Sequence, residues 1–259
     1  MKITCLLENT SAHPNILPQH GLSLWLETKN HRILFDMGQT DLFARNADQL
    51  GIDLATADIA VLSHGHYDHG GGLDHFLRIN TNAPVYLSKH AFGEYYNGEA
   101  KYIGLDTALQ GHPRLIPTDG QTTLARGLTL YSCNHLTRPN SLGCFGLTQR
   151  DADGNLTDDP FLHEQYLLIE EDGKRILVSG CSHKGILDIV QWFTPDLLIG
   201  GFHVSKMPLD QSLLRVAQAL NQQKTTYYTC HCTGQEQYAF MKQSMKNLHY
   251  LSGGQTITV

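Results

Sequence analysis

Residues 61–73 read VLSHGHYDHGGGL and place three histidines and one aspartate within six residues, directly after an apolar run. His64 and His66 are two residues apart, so their imidazoles project to the same side of an extended segment and can bind one cation. Asp68 and His69 follow as the chain turns and can face a second cation. The stretch therefore predicts a corner of the chain that carries metal ligands.

Glycines surround these ligands and predict how the corner is made. Gly65 lies among the ligands, and Gly70, Gly71 and Gly72 follow them. Glycine tolerates tight or positive-φ backbone conformations, so a strand can turn here into a helix that begins near Leu73.

The chain has 15 histidines, and several of them follow segments with the length and β-branched composition of strands. Loops at the carboxyl ends of strands are where α/β proteins assemble their sites, so these histidines are candidates for one shared site. The histidines in such positions are His64, His90, His135, His183, His203 and His231.

Strand patterns lie close together in the first half of the chain and alternate with helical patterns in the second half. No linker or repeat divides the chain. We therefore expect an α/β fold in a single domain over residues 1–259, with two sheets covered by helices on both outer faces.

The formal charge of −6 comes without a run of lysine or arginine, so neither nucleic acid nor a membrane surface is expected as the main partner. No stretch approaches eighteen consecutive apolar residues, and the N-terminal apolar segment is too short for a signal peptide. Six scattered cysteines in a chain of 259 residues favour reduced thiols. We expect a cytoplasmic protein, and the oligomeric state is left open.

The pattern H64-x-H66-x-D68-H69 resembles the signature of the metallo-β-lactamase superfamily, whose members bind one or two zinc, iron or manganese ions in a four-layer αβ/βα sandwich. Further segments, including RILFDMG, LVSGCSHKGI, IGGFHV and HCTG, extend the resemblance over nearly the whole chain. They are similar to a branch of metal-dependent hydrolases related to the ribofuranosylaminobenzene 5′-phosphate (dihydropterin-type) synthase.

The resemblance implies the remaining ligands. His231 in HCTG is expected to join Asp68 and His69 at a second metal position. His183 in GCSH is favoured as the partner of His64 and His66, with His135 as the alternative.

Cys181 occupies the place where the superfamily normally has an aspartate that bridges two metal ions. Cys181 is either a possible bridging ligand or a buried thiol without a role. In the second case the ions share only a water. The cofactor is expected to be one or two divalent ions per chain, with zinc favoured over iron or manganese. Cys230 and Cys232 flank His231 and are expected to point away from it in a strand and pack.

Several other residues are candidates for outer positions of the site. Asp36 resembles the buried aspartate that supports the metal-binding loop in the family. His203 can contact substrate or support the ligands, and Glu8, Asn9 and His20 resemble residues near the mouth of the site.

The predicted function is metal-dependent hydrolysis of a small-molecule substrate, either a phosphorylated compound or a cyclic ester. Asp68 is the expected catalytic residue, because it would bind metal and orient the attacking water. Two alternatives remain: a pterin-related synthase that forms a bond, and an iron-binding redox or sensor protein without hydrolytic activity.

Selection of the substrate is expected to fall to an insertion around residues 91–126. Its tyrosines and lysines can form an aromatic, partly cationic wall, or the segment can be a solvated cap.

Overall fold

The computed structural model describes residues 1–259 and contains eighteen β-strands and six α-helices. The strands, numbered along the chain, are β1 (Lys2–Leu7), β2 (Ser23–Glu27), β3 (Arg32–Phe35), β4 (Ile59–Val61), β5 (Val85–Ser88), β6 (Tyr95–Asn97), β7 (Lys101–Tyr102), β8 (Leu115–Thr118), β9 (Gln121–Ala125), β10 (Leu128–Tyr131), β11 (Leu147–Arg150), β12 (Leu156–Asp158), β13 (Tyr166–Glu171), β14 (Lys174–Val178), β15 (Leu197–Gly200), β16 (Thr226–Thr229), β17 (Leu248–Tyr250) and β18 (Thr256–Thr258). The helices are α1 (Leu42–Gln49), α2 (Tyr67–Gly70), α3 (Leu73–Ile79), α4 (Ile186–Phe193), α5 (Gln211–Asn221) and α6 (Gln235–Lys242).

Two seven-stranded sheets form the centre of the molecule. The first has the order β18-β1-β2-β3-β4-β5-β8, and the second has the order β17-β16-β15-β14-β13-β10-β9. Each sheet combines an antiparallel part with a parallel part, which contains β3, β4, β5 and β8 in the first sheet and β14 to β17 in the second. Because the strands of each parallel part run in the same direction, their carboxyl ends lead into loops at one edge of the sheet.

Alternation along the strands divides the core into three apolar layers. In β3, Ile33 and Phe35 pack between the two sheets, whereas Leu34 faces the helices α1 and α3. In β15, Leu197 and Ile199 likewise face the first sheet, and the neighbouring residue packs against α4, α5 and α6. Because both sheets are apolar on both faces, they require helices on their outer sides. The fold is therefore the four-layer αβ/βα sandwich that the sequence predicts.

A third, four-stranded sheet has the order β12-β11-β6-β7. The proposed cap at residues 91–126 supplies β6 and β7 to it, while the partner strands come from residues 147–158. The end of the same segment belongs to the large sheets, because β8 pairs with β5 and β9 pairs with β10. The part of the insertion that is separate from the sandwich is thus shorter than expected.

No α-helix of the chain has the length and apolar character needed to cross a bilayer.

Candidate metal centre

Strand ends from both sheets meet at one edge of the sandwich and bring the predicted ligands together. His64 and His66 follow β4 of the first sheet, whereas His183 follows β14 and His231 follows β16 of the second sheet. All four are buried, with at most 4% of their surface exposed. The convergence of distant loops that the sequence predicts is present.

His64, His66 and His183 form the first cluster of possible ligands. One nitrogen of each ring lies within 4.8 Å of the others, and the ring of His64 lies 4.6 Å from that of His66 and 4.7 Å from that of His183. The Nε2 atoms of His64 and His66 are buried and have no hydrogen-bond partner. A buried polar atom without a partner is costly, so these nitrogens fit a bound cation.

Protonation supports the same interpretation. Burial, followed by repulsion from the neighbouring histidines, lowers the pKa of His64 and of His66 well below the usual value. Both rings are therefore neutral at pH 7. Neutral imidazole is the form that binds a metal ion.

Asp68, His69 and His231 form a second cluster beside the first. His69 Nε2 lies 3.2 Å from His231 Nε2, and Asp68 Oδ2 lies 3.4 Å from the same His231 nitrogen. Burial lowers the pKa of His69, but the carboxylates of Asp36 and Asp68 raise it to about 9. The same carboxylates attract a cation to this cluster, and a metal ion bound by His69 would displace the ring proton.

Asp36 connects the two clusters through hydrogen bonds. Its Oδ1 accepts the amide of Ser63 at 2.7 Å, and its Oδ2 accepts the Ser63 hydroxyl at 2.7 Å and faces His69 Nδ1 at 2.6 Å. The Ser63 hydroxyl also lies 2.8 Å from His64 Nδ1. The Nδ1 atoms of both histidines are thus engaged, which leaves their Nε2 atoms for the centre.

Glu164 and His163 support the first cluster, and sequence reasoning missed both. Glu164 accepts the amide of His183 at 2.7 Å and lies 3.1 Å from its Nδ1 atom. His163 Nδ1 accepts the amide of Gly65 at 2.9 Å, and its Nε2 is held by Asp159 at 3.0 Å. Although burial opposes it, contacts with His183 and Lys184 lower the pKa of Glu164, so this carboxyl is ionised.

His135, the alternative to His183, lies elsewhere. It is exposed and lines a surface pocket beside Trp192 of α4. The strand β13 separates β10, which precedes His135, from β14, which precedes His183. His90 also does not line the cavity that contains His66, Asp68, His183 and His231 in its wall.

The structure places the other candidates around the centre. The ring of His203 lies 4.3 Å from that of His183, and neither of its nitrogens has a hydrogen-bond partner. Asn9 Oδ1 lies 2.8 Å from His231 Nδ1, and Glu8 is buried behind His231 and accepts its amide at 3.2 Å. His20 is exposed at the mouth, with Nε2 3.1 Å from Asp68 Oδ2.

Two thiols line the same cavity. Cys181 Sγ lies 3.2 Å from His69 Nε2, in the position between the clusters that the resemblance implies. The expectation that Cys232 points away from His231 is wrong, because its Sγ lies within 4.8 Å of Cys181 Sγ and a His231 nitrogen. The strand ends at Thr229 and a 3₁₀ turn follows over His231–Thr233, so the alternation of a strand no longer applies. Cys230 packs between the sheets as expected.

The glycines near the ligands serve a different purpose from the predicted one. None of Gly65, Gly70, Gly71 and Gly72 has a positive φ. A Cβ atom at Gly65 would instead overlap the carbonyl oxygen of Ala91. These positions require glycine because other parts of the chain approach closely, and the helix α3 begins at Leu73 as predicted.

Positive φ angles occur instead at non-glycine residues after the strands. Asp36, Ser182, His203 and His231 have φ values of 61°, 59°, 52° and 48°. Such conformations are uncommon outside glycine and cluster at functional sites. They turn the chain sharply after the strands, and three of these side chains, those of Asp36, His203 and His231, contact the centre or line the cavity.

His66, Asp68, His183 and His231 line a cavity of about 240 Å³, and His64 and His69 are fully buried in contact with them. The wall also includes Asn97 and Lys101 of the small sheet, Tyr67 of α2, and Ser205 and Lys206 of a loop. The cavity is open enough for a small molecule, and its wall carries two lysines from different elements.

Comparisons with known proteins agree with this architecture. The family model "Metallo-beta-lactamase superfamily" matches residues 17–220. An uncharacterized protein of Methanocaldococcus jannaschii is 30% identical in a match that covers 90% of each chain. From the same organism, 7,8-dihydropterin-6-methyl-4-(beta-D-ribofuranosyl)-aminobenzene-5'-phosphate synthase is 27% identical, over 99% of this chain and 96% of the synthase.

Among solved structures, Tm1679, described as a metal-dependent hydrolase of the beta-lactamase superfamily, superimposes with a TM-score of 0.85 and 28% identity. The match covers 100% of this chain and 99% of that protein. Zinc-bound PqqB from Methylobacterium extorquens has a TM-score of 0.59 at 12% identity over the full length of both chains, and therefore shares the fold. The chain belongs to the metallo-β-lactamase superfamily.

Proposed function

We propose that this protein is a metal-dependent hydrolase of a small phosphorylated substrate. The observation that carries the proposal is the convergence of His64, His66 and His183 with Asp68, His69 and His231, four of which line one cavity. The relationship to a metal-dependent hydrolase over the whole chain supports the same reaction type.

The first cluster would hold one divalent ion, and the second cluster would hold another, with Cys181 between them. Ions bound there supply a water nucleophile at neutral pH and polarise the bond to be broken. Zinc suits this set of imidazole, carboxylate and thiol donors better than magnesium or calcium does.

Asp68 is proposed as the catalytic residue, because its carboxylate lines the cavity between the possible ligand His231 and the exposed residue His20. Its Oδ2 faces His231 at 3.4 Å and His20 Nε2 at 3.1 Å. Asp68 can accept a hydrogen bond from the attacking water and so orient it. Although burial opposes ionisation, contacts with His69, His20 and His231 hold the pKa of Asp68 well below its usual value, so the carboxylate stays ionised.

Lys101 and Lys206 favour a phosphorylated substrate over a cyclic ester. Lys101 lies in β7, and Lys206 lies in the loop after β15. Both side chains line the cavity. Lys101 Nζ is 3.5 Å from the Tyr67 hydroxyl, and Lys206 Nζ donates to the Phe145 carbonyl at 2.7 Å. Asp68 is the single carboxylate residue in the cavity lining, so an anion meets little repulsion at the wall.

Treatment with a chelator is expected to abolish hydrolysis, because the proposed nucleophile is a water activated by the bound ions. Metal content of protein purified without chelators should be measured by elemental analysis, with hydrolysis assayed on phosphomonoesters, phosphodiesters and lactones. Zinc should restore the lost activity. Hydrolysis that persists in metal-free protein would contradict the proposal.

Replacing both Lys101 and Lys206 by alanine is expected to lower kcat/KM for phosphorylated substrates, mainly through KM. A hydrogen bond to a charged group contributes about 1.5–3 kcal/mol, which corresponds to roughly 10–150-fold for each lysine that binds the anion. Lys224→Ala, an exposed lysine outside the cavity, is the matched control. An equal loss on neutral lactones would show that the lysines do not recognise negative charge.

A synthase reaction is the second candidate, supported by the similarity to the ribofuranosylaminobenzene phosphate synthase over 99% of this chain. It would use the same cavity and the same lysines for a phosphorylated co-substrate. Bond formation that requires a pterin-like partner, without release of hydrolysis product, would favour the synthase over the hydrolase.

A further inference from the structure

The second cluster contains more sulphur than the resemblance implies. Cys181 follows β14, and Cys232 follows β16, so the two strands on either side of β15 each deliver one thiol to the cavity. The two sulphurs and one nitrogen of His231 lie within 4.8 Å of one another. Cys181 Sγ is also 3.2 Å from His69 Nε2.

Cys232 is held in this position by the surrounding backbone. The amide of His203 donates to its Sγ at 3.3 Å. A Cβ atom at Gly201 would overlap the same sulphur, so the glycine leaves the space that the thiol occupies. The Cys232 thiol also donates to the Cys181 carbonyl oxygen at 3.4 Å. A protonated thiol can make this contact without binding a metal ion.

We propose that Cys181 and Cys232, with His69 and His231, bind a thiophilic divalent cation at the second metal position. The inference rests on the proposed function for the presence of two metal positions. It adds Cys232 as a ligand in place of Asp68, whose carboxylate stays free to orient the attacking water, and it assigns the class of ion, zinc or ferrous iron.

The distances agree with this set of ligands. Zinc lies about 2.3 Å from sulphur and 2.0–2.1 Å from nitrogen, so donors around a tetrahedral ion are roughly 3.3–3.8 Å apart. The His69 nitrogen lies 3.2 Å from both the His231 nitrogen and the Cys181 sulphur. Cys232 follows the carboxyl end of β16, and its sulphur lies within 4.8 Å of the Cys181 sulphur and a His231 nitrogen.

Thiolates also decide which ion is preferred. Soft sulphur ligands select zinc or iron, whereas manganese and magnesium prefer carboxylate, carbonyl and water. Each thiol must lose its proton to bind, so loading of this position releases protons to the buffer. The first cluster, with three imidazoles, has no such requirement.

Cobalt substitution tests the proposal by absorbance, independently of activity. Full-length protein freed of metal and loaded with Co²⁺ should show a sulphur-to-cobalt charge-transfer band in the near ultraviolet. The band should fall to about half in Cys232→Ser and in Cys181→Ser, and it should be lost in the double variant. Cys133→Ser, a buried thiol outside the cavity, should leave the band unchanged.

A full band in Cys232→Ser would overturn the proposal. Cobalt binding without any sulphur band in the wild-type protein would also overturn it, while leaving the proposed hydrolase intact. Failure to bind cobalt at all would instead contradict the proposed function. If the variants do not fold, thiol counting in the wild-type protein replaces them, and zinc should protect two thiols from a cysteine reagent; protection of one or none would reject the ligand set.

Discussion

Replacement of His66 by alanine is expected to remove bound metal and hydrolytic activity together while the four-layer core stays folded. His66 Nε2 is buried and has no hydrogen-bond partner, so the substitution breaks no protein hydrogen bond at this atom. Its ring contributes to the metal centre rather than to an apolar core cluster. Loss of a residue that only supports a ligand costs about 10–100-fold in metal affinity or activity, and loss of the ligand itself should cost more.

His135→Ala is the matched control, because the sequence leaves His135 open as an alternative ligand. It is exposed and lies in a separate pocket, so its replacement should leave metal content and activity unchanged. Metal analysis, activity and circular dichroism measured on both variants separate loss of metal from loss of fold. A His66→Ala protein with wild-type metal content would reject the first cluster as a metal site.

The sequence predicts the sandwich well where the patterns are local and strong. Runs such as RILF and LLIG are apolar at consecutive positions, because each strand packs on both faces, and they become β3 and β15. It predicts β6 and β11 poorly. Their sequences YYN and LTQR are short and partly polar, and these strands form through pairing in the four-stranded sheet.

The residues that sequence reasoning missed at the site share a topological cause. The sequence prediction places site residues at the carboxyl ends of strands. However, β13 runs antiparallel to β14. The amino end of β13 therefore reaches the same edge as the carboxyl end of β14, and it carries His163 and Glu164 to the ligands. Pairing direction is a long-range property, which a single strand pattern does not contain.

Cys232 was misplaced for a local reason instead. Period-two alternation predicts the direction of a side chain only while the strand continues. The chain leaves β16 at Thr229, and the left-handed residue His231 begins a turn that directs the next side chain inward.

Replacement of Asp36 by alanine is expected to destabilise the fold and weaken metal binding at once. The carboxylate is fully buried and engages Ser63 twice and His69 Nδ1 once. Removal of one partner from such a buried charged network costs about 3–5 kcal/mol in the free energy of unfolding. For a chain of this size each kcal/mol lowers Tm by about 2–4 °C, which thermal unfolding can resolve.

Asp36→Asn separates the effect on the metal centre from the effect on stability. Asparagine tolerates the positive φ of 61° at this position and can still accept the Ser63 amide. Its amide NH₂ would donate to His69 Nδ1, which moves the ring proton to Nε2, the nitrogen that faces the centre. We expect a smaller loss of stability than in Asp36→Ala, with metal affinity at the second cluster lowered by about 10–100-fold.

Asp188→Asn, which alters a buried carboxylate bonded to Asn140 outside the cavity, should affect stability without changing metal affinity. Wild-type affinity for the second ion in Asp36→Asn, measured by titration calorimetry, would show that Asp36 does not set the tautomer of His69.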